Sequence, residues 1–182
     1  MARVPYVAPE DLPAEYRHVF DRLAESRGYV PNLYRAMANS PHLVEPFVRM
    51  METTRAEAAL PNQLKELAVL RVAQLTGAAT MWASHETLAR DAGVPGAKLR
   101  ALAVWRSHAI FTSEESAALS YAEAVTRDVR VDDATWEDVR SHFTHEQQTE
   151  LVIAVAFYNM VARISEPLAL ELDLRYLDTE AD

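Results

Sequence analysis

The sequence contains no cysteine. That absence excludes disulfides, thiolate nucleophiles, iron–sulfur clusters and cysteine zinc sites. Glycine is scarce, with 4 residues in 182, while alanine and leucine are abundant. Such a balance favours helices over turn-rich β structure. Positive charge is outweighed: the formal net charge is −9, and Lys and Arg form no cluster. A nucleic-acid binder needs a basic surface to displace counterions, so nucleic acid is not an expected partner. An anionic membrane is disfavoured for the same reason. No apolar run reaches bilayer length, and the start, Met1-Ala2-Arg3-Val4-Pro5, lacks the apolar stretch of a secretory signal. The cytoplasm is the expected location.

What is present reads as one all-α domain over 1–182. The proline-spaced stretch to about Ala14 reads as an extended N-terminal arm, of the kind that can lie over a neighbour. A helix is expected over 13–27, stopped by Gly28, and a short one from Val30-Pro31-Asn32 through Met37. Ser40-Pro41 reads as a cap and first-turn proline opening a helix to about Thr54. Leu60-Pro61-Asn62 opens the next, which runs to Thr76 and stops at Gly77. Its second half, Leu67 to Leu75, is apolar almost all round, so this helix is expected to be buried. Further helices are expected over 80–92, 95–105, from Ser113 to about Arg127 with Ser113 or Ser116 near the cap, over 134–143 behind Asp132/Asp133, and from Thr144 to Ser165, where Pro167 interrupts. Only Val129-Arg130-Val131 looks extended, too little for a sheet. Gln63, Glu66 and Leu67 align with Gln147, Glu150 and Leu151 at one constant offset. A duplicated helical hairpin would explain that, and so would chance.

Two residues stand out as chemistry on an apolar background. Glu66 sits four residues before Leu70 and seven before Ala73. On the following helix Met81, His85, Leu88 and Ala92 share one stripe, flanked by Trp82 and Ala89. A hairpin closed at Gly77 can bring Glu66 and His85 together. A half-buried carboxylate beside an imidazole is a ready proton-transfer pair. The plain alternative is a satisfied core histidine with Glu66 on the outer surface.

These residues also carry a resemblance. The stretch Leu60-Pro61, then Lys65 to Gly77, then Trp82-Ala83-Ser84-His85, together with Phe157 to Arg163, resembles the carboxymuconolactone decarboxylase and alkyl hydroperoxidase D-like family. The likeness covers about Val30 to Asp173. It implies an all-α helical bundle and a homo-oligomer, from dimer to trimer or hexamer. The family's redox branch carries a glutamate, a Cys-x-x-Cys twelve residues on, and a histidine four residues after the second cysteine. Glu66 and His85 occupy the outer places, while Ala78 and Met81 stand where the two cysteines would be. Peroxide reduction needs one thiolate to attack and a second thiol to resolve, so the thiol peroxidase activity is excluded.

What the resemblance leaves is acid–base chemistry on a small cyclic organic acid, lactone or secondary-metabolite intermediate, of the decarboxylase or lyase kind. His85 is then the proton-transfer residue and Glu66 its orienting partner, with no cofactor required. Ala78, Met81, Trp82, Tyr158 and Arg163 are the candidate substrate contacts, Trp82 being either pocket wall or core. Arg71 and Arg163, in very apolar helices, need partners: either could bind a substrate carboxylate, and ion pairs with Glu66, Glu150 or Glu166 are the favoured alternative. Ser84 and His85 are adjacent on a helix and point apart, so they form no nucleophile–base pair. His42, His108, His142 and His145 are scattered, and no metal site is expected. The rival reading is a non-catalytic ligand-binding or regulatory protein that kept the fold after losing the cysteines.

Overall fold

A computed structural model of the chain describes residues 1–55 and 58–177. The secondary structure among them is helical throughout: α1 (Arg17–Arg27), α2 (Asn32–Met37), α3 (Val44–Arg55), α4 (Asn62–Thr76), α5 (Ala79–Asp91), α6 (Gly96–Ala101), α7 (Ser113–Asp128), α8 (Asp133–His142) and α9 (His145–Ser165), with short 3-10 turns between. The chain divides into two compact units, 1–56 with 164–182, and 57–163. No helix of the described residues is long and apolar enough to cross a membrane.

In the first unit α1 ends where the sequence says it should. Gly28 takes φ 79°, and its N–H returns to Ala24 O at 2.7 Å. The buried faces of α1 and α3 supply Val19, Phe20, Leu23, Val44, Phe47, Val48 and Met51. Ser40 makes no side-chain cap bond, because a 3-10 turn over Pro41–Leu43 precedes α3. The N-terminal arm is tied to its own chain. Arg3 N–H donates to Leu168 O at 2.9 Å and Val7 N–H to Arg35 O at 3.1 Å, while the Arg35 guanidinium lies over the Tyr6 ring.

The second unit is built around α4, whose residues from Leu64 to Ala73 are all buried. It packs against α5 and α7. Leu67 and Leu70 join Ala89, Val94, Leu99, Leu102, Trp105 and Leu119 in one apolar cluster. α7 is capped by Thr112 rather than by Ser113 or Ser116. Thr112 is extended and stands three residues before Glu115, so the two close a reciprocal capping box. α8 is capped by Asp132, as its position before the helix predicts. Val129 is left-handed at φ 64° where an extended residue was expected, since it terminates α7. α9 ends at Ser165, before Pro167.

The aligned repeat residues serve different roles. Glu150 accepts the N–H groups of Ala59 and Leu60, and Gln147 donates to Ala59 O at 3.0 Å, which fixes the entrance to α4. Glu66, its counterpart, faces the interior.

Between α4 and α5 the chain reverses at Gly77, which has φ 70° and no atom within 4 Å of where a Cβ would stand. Space is therefore no obstacle, but the left-handed backbone is. Gly77→Ala should lower stability by about 1 kcal/mol with no steric addition. Urea unfolding of the two proteins checks this; equal midpoints would contradict it.

Candidate active site

α4 and α5 form a hairpin because Gly77 N–H and Ala78 N–H both return to Ala73 O, the pattern that ends a helix in a left-handed residue. The turn holds Glu66, on the first half of α4, against His85, on α5. His85 Nδ1 and Glu66 Oε2 lie 2.6 Å apart. Both side chains are interior, His85 being 2% exposed and Glu66 5%. A carboxylate accepts, so the contact is read with the proton on Nδ1. In a setting of low dielectric the carboxylate also stabilises the imidazolium once it forms. The Tyr158 ring stands edge-on to His85, with centroids 4.5 Å apart. It fixes the imidazole plane from α9.

A cleft of about 260 Å³ opens at the same hairpin. Its walls are Ala73, Gln74, Gly77, Ala78, Ala79 and Trp82. Of the residues expected to meet a ligand, Ala78 and Trp82 line it. Met81 is buried beside them, Tyr158 lies against His85, and neither lines the cleft. The Trp82 indole N–H is engaged by Glu86 Oε2 at 3.1 Å, so the residue offers its ring and not its donor. Glu66 and His85 are not among the walls either. His85 follows Trp82 by three residues on α5, so it lies nearly one turn further along the helix.

The arginines are held differently from expectation. Arg71 pairs with Glu123 of α7 rather than with Glu66, Glu150 or Glu166. Its Nε donates to Glu123 Oε1 at 2.8 Å, and its Nη1 donates to Leu102 O and to Gln74 Oε1. Glu123 also accepts from Trp105 Nε1 at 3.0 Å and from Arg106. The correction has a packing cause: α7 lies on α4 and brings Glu123 to the face where Arg71 points, whereas Glu66 faces α5. Arg163 forms no ion pair among the described residues. It donates to Asn159 O and Oδ1 and to Thr126 O, away from the cleft. Gln74 and Glu123 were missed by sequence reasoning. A glutamate inside the apolar run Ala117–Ala124 was the available signal for the second.

Burial alone would push the Glu123 carboxyl up, but the hydrogen bonds from Trp105, Arg71 and Arg106 outweigh it and hold the group below the ordinary range.

The residues 41–124 match the carboxymuconolactone decarboxylase family. The uncharacterized protein YdfG of Bacillus subtilis (strain 168) is 31% identical over 117 residues, covering 63% of this chain and 80% of that protein. The uncharacterized protein YnjA of Escherichia coli (strain K12) is 27% identical over 177 residues, covering 92% of this chain and 89% of that one. Among solved structures, the alkylhydroperoxidase AhpD core of a peroxidase-related protein from Ralstonia eutropha JMP134 superposes with a TM-score of 0.84 at 20% identity, covering 96% of this chain and 94% of its own. A cysteine-to-alanine variant of the debrominase Bmp8 in complex with 2,3,4-tribromopyrrole gives 0.82 at 19%, covering 97% and 94%. The fold is thus that of the AhpD-like helical proteins. The chain belongs to the carboxymuconolactone decarboxylase family, as a form without cysteine.

Because the folded-state pKa of Glu123 lies below the unfolded value of about 4.3, the carboxylate's contribution is present above that value and lost as pH falls through the folded-state pKa. Glu123→Gln, which leaves Arg71 buried with a neutral partner, should destabilise by about 3 kcal/mol at neutral pH, and by less in acid. Chemical denaturation at pH 7 and near pH 3 measures both. A loss that does not shrink in acid would contradict the assignment.

Proposed function

We propose that this protein is a cofactor-independent acid–base enzyme of the decarboxylase or lyase kind, acting on a small cyclic acid, lactone or related intermediate. The observation that carries the reading is the 2.6 Å contact of His85 Nδ1 with Glu66 Oε2, both side chains being buried. The family includes a decarboxylase by name, and the same fold in Bmp8 takes a single-ring ligand, 2,3,4-tribromopyrrole. A cleft on this hairpin is of the size that one ring would fill.

The chemistry follows from the groups present. A carboxylate on the saturated ring carbon γ to an α,β-unsaturated carbonyl loses carbon dioxide when the C–C electron pair moves through the double bond to that carbonyl. The resulting dienolate takes a proton on carbon from the His85 imidazolium, the carbonyl re-forms, and solvent returns the proton to the ring. Glu66 holds the imidazole and its charge throughout. An apolar wall strips water from the departing carboxylate, which favours its loss. Glu66 and His85 lie outside the cleft walls, so a ligand meets the pair only if the hairpin side chains rearrange.

A second reading is favoured by one observation: His85 is almost fully buried and lines no wall of the cleft. On that reading the pair is a structural contact and the protein binds its ligand without turning it over. Self-association belongs to the proposal as well. Ile153 and Met160, seven residues apart on α9, are exposed apolar side chains on one face, and an oligomer would cover them.

Carboxymuconolactone and a set of monocyclic lactones should be assayed beside His85→Ala and Glu66→Gln. Turnover should fall at least 100-fold in the first and less in the second, which keeps the shape and one acceptor. Unchanged turnover in both, with melting temperatures preserved, would overturn the catalytic reading. Light scattering should show Ile153→Glu shifting the protein to a smaller species; a monomeric wild type would remove the oligomer from the proposal.

A further inference from the structure

The cleft has one polar side chain in its wall, Gln74, and its orientation is fixed from behind. The guanidinium of Arg71 has donors only, so the Gln74 atom that meets it must be the oxygen. Arg71 is in turn clamped by Glu123 and by Leu102 O. The Gln74 amide therefore cannot flip: its oxygen stays on Arg71 and its NH2 group is the donor it has left to offer. Trp82 cannot substitute for it, since its indole N–H is spent on Glu86. No Lys, Arg or His lines the cleft, so a ring carboxylate held there finds no cation and is bound less well than a carbonyl, which also favours its loss.

We propose that Gln74 is the ligand-recognition residue of this cleft, donating its NH2 to the carbonyl oxygen of a carbonyl-bearing single-ring molecule packed against Trp82, with Arg71 as its positioning residue. The Arg71 cation on Oε1 draws electron density from the amide and strengthens the N–H as a donor. Such a donor suits an oxygen on which charge accumulates, as it does at the carbonyl that accepts electrons during carbon dioxide loss. The inference rests on the reading under Proposed function for that chemical role, while the binding site itself does not need catalysis. A volume near 260 Å³ sits at the lower edge of small-molecule sites, roughly 300 Å³ and above, enough to seat one ring.

The test is calorimetric titration of the full chain with acetophenone, benzoate and ethylbenzene, three single-ring probes that differ in the polar group. Acetophenone should bind most tightly. Gln74→Leu and Gln74→Glu both remove the donor, the latter keeping a contact to Arg71. Each should weaken acetophenone about tenfold and leave ethylbenzene unchanged. In nitrogen-15 spectra the Gln74 side-chain amide should shift with acetophenone and not with ethylbenzene. The proposal is overturned if acetophenone binds the variants as it binds the wild type, if benzoate binds more tightly than acetophenone, or if none of the three binds. A tenfold loss in these variants alongside full turnover by His85→Ala would keep the site and discard the catalytic pair; the opposite pattern would do the reverse.

Discussion

A helix buried on every side can carry polar side chains only where another element supplies their partners. α4 is such a helix, and it carries Lys65, Glu66 and Arg71 within its buried span, the last two with partners on α5 and α7. An isolated carboxylate or guanidinium in that interior would cost several kcal/mol. The fold meets the demand on two faces. α5 brings His85 to Glu66, and α7 brings Glu123 to Arg71. These two contacts orient the helices that flank α4, and the cleft opens at the end of α4 where the hairpin turns.

The functional consequence follows from what occupies that turn. In the redox branch of the family a pair of thiols would stand at Ala78 and Met81, and sulfur would carry the reaction. Here the position facing the cleft is a methyl group, and the next is a buried thioether. The carboxylate and the imidazole remain, Glu66 against His85, and that contact is the basis of the proposed function.

Much of this was legible in the sequence. Gly28 and Gly77 ended helices at the predicted positions, since a left-handed residue is tolerated there mainly by glycine. The all-round apolar character of Leu67–Leu75 announced a buried helix. Glu66 and His85 could be matched across the hairpin because both lie within a few turns of Gly77, where geometry is nearly fixed by the turn. The cap of α7 was misplaced by one residue, as Ser113, Ser116 and Thr112 all have the right chemistry and only backbone conformation separates them.

By itself, then, the sequence determined the helices, the closed hairpin and the exclusion of thiol chemistry, because these depend on residue type and on neighbours a few positions away. The tertiary structure alone decided the partner of Arg71, the place of the cleft and the direction of the Gln74 amide. Glu123 lies 52 residues from Arg71 along the chain, and only the packing of α7 on α4 brings the two together. Periodicity cannot report such a contact, because it records which face is buried and not what is buried against it.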